Sequence, residues 1–212
     1  MKTQQSGFTL VEIAIVLVII GLLLGGVLKG QELINSAKAK AVINDFRNTA
    51  TMIAAYQDRF RALPGDDNAA DKHLAVVGLK SGNGDGKIDG AWDENADADK
   101  ESVRFWQHLR LANLATGNAS DPVANSVNGW APTNSEGGRI GVSSTAPAGF
   151  SGIRGRFFIC QGNLDGRIAQ QIDSTMDDGD GTTGSVGVAD NSTNTAAAAP
   201  KEGTVYTVCY GI

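Results

Sequence analysis

The sequence predicts an α+β protein in which one long N-terminal helix precedes a head that ends in an antiparallel sheet. Three observations lead to this prediction: an apolar run over residues 6–26, a helical pattern that continues to Phe60, and two β-rich segments that each carry one of the two cysteines. The chain has 212 residues, which suits one globular domain with an additional element.

The N-terminal apolar run is long enough to cross a membrane. Residues 8–28 would rise about 31 Å as a helix, which matches a hydrocarbon core of about 30 Å. A cleaved secretory signal has a shorter apolar core and an A-x-A-like site, which this segment lacks. Apolar residues then recur at helical spacing as far as Phe60, before Pro64. We therefore predict one helix over 8–62, with a transmembrane first half (8–28) and an amphipathic second half that packs on the head.

A single carboxylate, Glu12, lies inside the apolar run. An ionised side chain near the centre of a membrane helix costs about 3 kcal/mol or more, so a residue of this kind indicates a function and requires a partner. The alternative is that Glu12 stays hydrated at the membrane interface, about 6 Å along the helix from Phe8.

The residues around Glu12 form a specific pattern. A short polar leader, Met1–Gly7, ends in glycine and is followed by Phe8, Thr9-Leu10-Val11-Glu12 and the apolar helix. This pattern resembles the class III signal of type IV pilins and type II secretion pseudopilins. The resemblance implies that a prepilin peptidase removes leader 1–7 by cutting between Gly7 and Phe8, and that it methylates the new amine of Phe8. It also implies that this amine pairs with Glu12 of a neighbouring subunit, which makes Glu12 an assembly residue.

The same resemblance implies the architecture and role of the whole chain. It predicts a pilin-like fold, with a head over 63–212, and a structural subunit of a type IV pilus or pilus-like filament. The alternatives are a type II secretion pseudopilin and a minor or tip pilin with an adhesive binding role. The implied partners are other pilin subunits, the prepilin peptidase and the inner-membrane assembly platform. The chain would cross the bacterial inner membrane once before it enters an extracellular pilus or a periplasmic pseudopilus.

The apolar helix departs from the pattern of many pilins in one respect, because it has no proline in its outer half. Gly25, Gly26 and Gly30 are the residues that would weaken the helix instead, since glycine costs up to about 1 kcal/mol in a helix interior.

The two cysteines, Cys160 and Cys209, lie in the part of the chain that would follow translocation. An even pair outside the cytosol predicts one disulfide, which would stabilise the fold by about 4 kcal/mol in the loop-entropy model. The alternative is two reduced, buried thiols.

A glycine-rich acidic segment over 81–90, SGNGDGKIDG, suggests a calcium loop. Hard cations need several oxygen ligands on a tightly turning backbone. In an EF-hand register the two ends do not fit, because Ser81 and Trp92 stand where acidic ligands belong. The candidate ligands are Asn83, Asp85, Asp89, Asp93 and Glu94. The alternative is a solvated acidic turn. Residues 177–181 likewise suggest either a calcium loop or a solvated acidic turn. The predicted function requires no cofactor.

The remaining head elements are predicted from shorter patterns. An amphipathic helix is expected over 101–115, in which His108 is interpreted as a packing or surface residue and not a metal ligand. Strands are expected at 155–160 and 203–211, with a short one near 139–142. Residues 190–200 are expected to form an exposed loop.

Charge and motifs disfavour two classes of function. The net charge is −5, and all of the excess acid follows residue 34, which argues against nucleic-acid binding. The chain has two histidines and contains neither G-x-S-x-G nor H-E-x-x-H. We therefore expect no enzymatic activity.

Overall fold

The computed structural model describes residues 9–150 and 152–212. The helices are α1 (Leu10–Phe60), α2 (Ala70–His73), α3 (Glu101–Leu111), α4 (Val127–Trp130) and α5 (Gly166–Met176). The strands are β1 (Ile140–Ser143), β2 (Phe158–Asp165), β3 (Val186–Asp190), β4 (Thr195–Ala196) and β5 (Val205–Gly211). The chain divides into two compact units, one that ends at Ala37 and one over Lys38–Ile212.

Helix α1 is continuous and belongs to both units. From residue 39 onward its apolar side chains recur every three or four residues, as expected for a helix that packs one face against a core. The buried residues are Ala39, Val42, Ile43, Phe46, Thr49, Ile53 and Tyr56. The helix ends at Phe60, and the next residue, Arg61, has a left-handed backbone with φ of 56°. The single helix predicted from the sequence is therefore present, with both its apolar first half and its amphipathic second half.

The five strands form one antiparallel sheet in the order β1-β2-β5-β3-β4. Its buried residues share one core cluster with the second half of α1, and Phe46 of the helix meets Tyr210 of β5 edge-on at a ring-centroid distance of 6.0 Å. Gln161 in β2 donates its side-chain amide to the Val42 carbonyl at 3.0 Å. The predicted α+β, pilin-like architecture is confirmed.

Several boundaries differ from the predicted ones. Helix α3 ends at Leu111 and not at residue 115, because Asn113 takes a left-handed backbone with φ of 58°. Strand β2 begins and ends later than the predicted 155–160. Helix α5 and strand β3 were not predicted. Residues 190–200 are largely exposed as expected, although two of them form β4.

His108 is a packing residue at the centre of the head, with no exposed surface. The Gly65 N–H donates to its Nδ1 at 3.0 Å, so Nδ1 is unprotonated, and Nε2 donates to the Lys80 carbonyl at 3.1 Å. Gly65 has a φ of +91°, and a Cβ there would lie 2.4 Å from the Glu101 carbonyl oxygen. Glycine therefore lets the chain after α1 come within reach of α3. Burial lowers the pKa of His108.

We expect this histidine to make the head less stable in mild acid. The unfolded chain protonates His108 near pH 6.5, whereas the folded chain holds it neutral, so the unfolded state binds more protons below that pH. The contribution of His108 to the free energy of unfolding should fall as pH decreases from about 6.5, by up to about 1.4 kcal/mol per pH unit until the folded-state pKa is reached. Urea unfolding of the chain in detergent between pH 7.5 and 5 measures this slope.

The matched variants are His108→Gln and His73→Gln. The first should remove the slope that His108 contributes, whereas the second leaves that contribution in place. The difference between the pH slopes of the wild type and of each variant removes the contribution of the carboxylates that titrate in the same range, because all three chains share them. An unchanged slope in His108→Gln would contradict the assignment.

Candidate assembly site

The N-terminal end of α1 is capped by three reciprocal hydrogen bonds between Thr9 and Glu12. The Thr9 N–H and its hydroxyl both donate to Glu12 Oε2 at 2.8 Å, and the Glu12 N–H donates to Thr9 Oγ1 at 3.3 Å. This arrangement is a capping box, which satisfies two of the backbone donors that a helix start leaves open. The Glu12 carboxylate is thereby oriented toward the start of the helix.

Thr9 is a functional residue that the sequence reasoning missed. The signal was present, because Thr9-Leu10-Val11-Glu12 has the T-x-x-E spacing of a capping box just before an apolar run. Glu12 is thus both a charge inside an apolar segment and a cap of its own helix. The same carboxylate therefore serves the local helix and is available to a neighbouring cation through its remaining lone pairs.

We expect Thr9→Ala to fray the first turn of α1. Loss of an N-cap hydroxyl destabilises a helix end by about 1 kcal/mol, which would increase amide exchange of the first turn roughly five-fold. Hydrogen exchange on the chain in detergent micelles measures this effect. Thr51→Ala is the matched control, because the Thr51 hydroxyl bonds the Arg47 carbonyl within the same helix and caps nothing. Equal first-turn exchange in the wild type and Thr9→Ala would contradict the capping role.

The apolar residues that follow the cap are exposed on every side of the helix in the single chain. Leu10 is 91% exposed, and large aliphatic residues through Leu28 are between roughly half and three quarters exposed. By length and composition, α1 is apolar enough to span a membrane, with a mean hydropathy of 2.8 over its most apolar window. An apolar surface of this extent requires lipid or other apolar helices around it. Together with the adjoining motif, this surface indicates membrane insertion before assembly.

The glycines in this segment do not interrupt the helix. A Cβ at Gly21, Gly25, Gly26 or Gly30 would meet no atom within 4 Å. These positions are therefore open on the helix surface, where small residues let a second helix approach closely. The segment ends at an exposed ion pair, in which Lys29 Nζ lies 2.6 Å from Glu32 Oε2.

Gly7 and Phe8, the residues of the predicted cleavage and methylation, lie outside the described residues. The cut between them, the methylation of Phe8 and the pairing of its amine with Glu12 stay predictions.

The two cysteines are joined in the head. Cys160 in β2 and Cys209 in β5 are directly opposite in the antiparallel register, and their Cα atoms lie 4.1 Å apart within a disulfide. Both are fully buried beside Phe150, Ile153 and neighbouring apolar residues. The bond fastens the last strand of the chain to β2.

The acidic segment at 81–90 is held by two buried carboxylates from outside it. Asp66 accepts from the N–H groups of Gly84, Asp85 and Gly86 at 2.6 to 3.1 Å. Glu101 accepts from the N–H groups of Asn83 and Asp89 at 2.9 and 3.0 Å. Neither Asp66 nor Glu101 was among the predicted ligands, because their burial depends on tertiary packing.

The predicted calcium ligands mostly stabilise their own turns. Asn83 accepts from the Asp85 N–H at 2.8 Å, Asp85 accepts from the Lys87 N–H at 2.9 Å, and Glu94 accepts from two N–H groups that follow it. Among the residues that the structure describes, no three of Asp85, Asp89, Asp93 and Glu94 bring ligand atoms within 4.8 Å of one another. Calcium binding by this segment stays a prediction.

Comparison with known proteins bears on the N-terminal segment. The family model of the prokaryotic N-terminal methylation motif matches residues 2–28. Comparison with curated proteins and with solved structures found no match. The matched segment contains the capping box, Glu12 and the apolar helix. Residues 2–28 therefore carry the signal motif that type IV pilins and pseudopilins share.

Proposed function

We propose that this chain is a structural subunit of a type IV pilus or pilus-like filament, assembled through its N-terminal helix after prepilin peptidase processing. The observation that carries the proposal is the exposed apolar helix with one carboxylate, Glu12, at its capped start, within the matched methylation motif. The function assigned is packing between subunits, and the partners are other pilin subunits, the peptidase and the inner-membrane assembly platform.

The helix surface that favours the membrane is also the surface through which subunits would associate. In lipid the apolar side chains are already covered, so association of helices depends on close packing and on polar groups that pair between helices. The open glycine positions favour close approach, and Glu12 supplies the polar group. A cationic amine on Phe8 of the next subunit would turn two uncompensated charges into one pair, at one axial offset.

The pairing fits the geometry of the cap. Both Thr9 donors go to Oε2 of Glu12, and a carboxylate has about four acceptor sites on its two oxygens. Glu12 can therefore accept from an amine of a neighbour while it still caps its own helix. The proposed contact thus requires no unwinding of the first turn.

Intact mass with N-terminal fragmentation tests this proposal on the chain extracted from native membranes or sheared filaments. We expect a chain that starts at N-methylated Phe8 and is two hydrogens lighter from the Cys160–Cys209 bond. An uncut chain, or one cut after the apolar run, would contradict the proposal because Glu12 would lose its partner.

A pilus subunit and a secretion pseudopilin share this processing, so location separates them. Immunogold labelling of intact cells and of thin sections is expected to mark extracellular filaments that contain many copies of the chain. Labelling confined to the periplasm would favour the pseudopilin, and a few copies at filament tips would favour a minor or adhesive pilin.

A further inference from the structure

The C-terminal end of α5 contains a buried carboxylate. Asp173 has no exposed surface, and neither of its carboxylate oxygens makes a hydrogen bond to any residue that the structure describes. Buried polar groups in folded proteins are nearly always paired, so an orphaned carboxylate requires an explanation. A structural role in packing does not supply one, since a neutral side chain of the same shape would fill the space without the desolvation of a charge.

Two further carboxylates converge on Asp173. Ligand oxygens of Asp173, Asp177 and Asp178 all lie within 4.8 Å of one another, from a buried, a half-buried and an exposed residue respectively. The three side chains therefore form a cluster that reaches from the core to the surface. An ion from solvent would have a path to the buried oxygen.

The local electrostatics favour a cation. The last turn of α5 contains no basic residue, and its backbone carbonyls add partial negative charge at this end of the helix. Burial, followed by the charges of Asp178, Asp177 and Asp180, raises the pKa of Asp173 to about 7. The cluster thus concentrates negative charge. Among the described residues, the charges that act on Asp173 are those of aspartates, and none is a cation.

The two outer carboxylates are fixed in position by the loop that follows. Asp177 Oδ2 accepts from the Val186 N–H at 2.8 Å and also from the Ser185 N–H. Asp178 accepts from the Asp180 N–H at 2.9 Å and from the Thr183 hydroxyl at 2.7 Å. Since carboxylate oxygens have two lone pairs each, these bonds orient the groups and leave acceptor capacity for an ion.

We propose that Asp173, Asp177 and Asp178 bind a calcium ion at the C-terminal end of α5. Calcium takes oxygen ligands at about 2.3 to 2.6 Å, so two ligands of one ion lie at most about 5 Å apart, which the cluster satisfies. Magnesium requires shorter distances in a near-ideal octahedron, and zinc prefers the nitrogen and sulfur ligands that are missing from this cluster. The ion would fasten the end of α5 to β3 through Asp177, and it is distinct from any ion in the segment 83–94.

The first test is thermal unfolding of the full chain in detergent with excess calcium and with EGTA. At a calcium concentration a hundred times Kd, we expect the Tm of the wild type to rise by about 5 to 10 °C. Asp173→Asn should lose this rise. In EGTA, this variant should be at least as stable as the wild type, because it removes a buried charge that has no partner.

Two further variants make the test specific. Asp178→Asn changes an exposed ligand, so it should fold and should also lose the calcium-dependent rise. Asp85→Asn is the matched control in the other acidic segment and should keep the rise. Equilibrium dialysis with radioactive calcium should show one fewer ion bound to Asp173→Asn than to the wild type.

Three results would overturn the proposal. One is an equal calcium-dependent rise in the wild type, Asp173→Asn and Asp178→Asn. Another is loss of the rise in Asp85→Asn with retention in the two cluster variants, which would place the ion at 83–94. The third is a wild type that neither binds calcium nor gains stability from it, in which case Asp173 is simply a buried neutral acid. None of these results depends on filament assembly, so the proposed function is tested separately.

Discussion

Replacing Glu12 with alanine should reduce filament yield severely while the head stays folded. In the proposed contact, Glu12 pairs with the Phe8 amine of a neighbouring subunit. Removing one member of a desolvated ion pair leaves the other charge without a partner, which costs about 3 kcal/mol or more of association free energy. This corresponds to roughly a hundred-fold weaker subunit association. Membrane insertion should persist, because the substitution makes the apolar segment more apolar. Quantifying sheared filaments against total membrane-extracted chain measures the effect.

A second substitution separates charge from capping. Glutamine at position 12 can still accept from the Thr9 N–H, since capping boxes use Glu or Gln, but it lacks the negative charge. We expect Glu12→Gln to assemble as poorly as Glu12→Ala. Restored yield in Glu12→Gln would show that the cap alone matters and would refute the pairing. Glu32→Gln, which changes an exposed charge paired with Lys29 on the same helix, should assemble normally.

Removing the disulfide should give the largest loss of head stability. The bond closes a loop with a sequence separation of 49 residues, and the entropy model gives about 4 kcal/mol for a loop of this length. The double variant Cys160→Ala/Cys209→Ala should therefore unfold at a much lower urea concentration than the oxidised wild type. Unfolding of both chains in detergent measures the difference in free energy.

The reduced wild type is the internal control for this pair. It retains both buried side chains, so any difference between it and the double variant reports packing, whereas its difference from the oxidised chain reports the bond. We expect the reduced chain to be closer in stability to the double variant than to the oxidised chain. A double variant within 1 kcal/mol of the oxidised wild type would contradict the expected contribution.

The elements that the sequence predicted well have long or repeated signals. Helix α1 combines an apolar run with an amphipathic continuation, and its observed end at Phe60 is two residues before the predicted one. Strands β2 and β5 are rich in β-branched and aromatic residues, which favour a half-buried pleated surface. In both cases local preference and tertiary packing favour the same structure.

Two elements of the head were not predicted. Helix α5 has as many residues as α3, and its local signal is present, because Ile168 and Ile172 share a face and Asp165 caps the start through the Arg167 N–H at 2.9 Å. Strand β3 is a five-residue segment preceded by a glycine- and aspartate-rich loop, and its structure depends on pairing with β5. Short segments of this kind are defined by partners that are distant in sequence.

The candidate sites show the same division. Glu12 was identifiable because a charged residue inside an apolar run can be recognised from the sequence alone. Asp66 and Asp173 were not, because nothing in their neighbouring residues indicates that they are buried. Burial of a single carboxylate is a property of the packed head, and the sequence pattern alone does not reveal it.

The shared core of α1 and the sheet has a practical consequence for preparing the head without its membrane segment. The boundary between the two compact units falls after Ala37, inside the helix, and the buried helix residues begin at Ala39. A truncated chain that starts at Lys38 keeps every buried residue of α1 and should fold as a soluble protein. One that starts at residue 63 would expose the sheet surface that Phe46 covers at Tyr210 and the α3 surface that Tyr56 covers at His108, so it should aggregate.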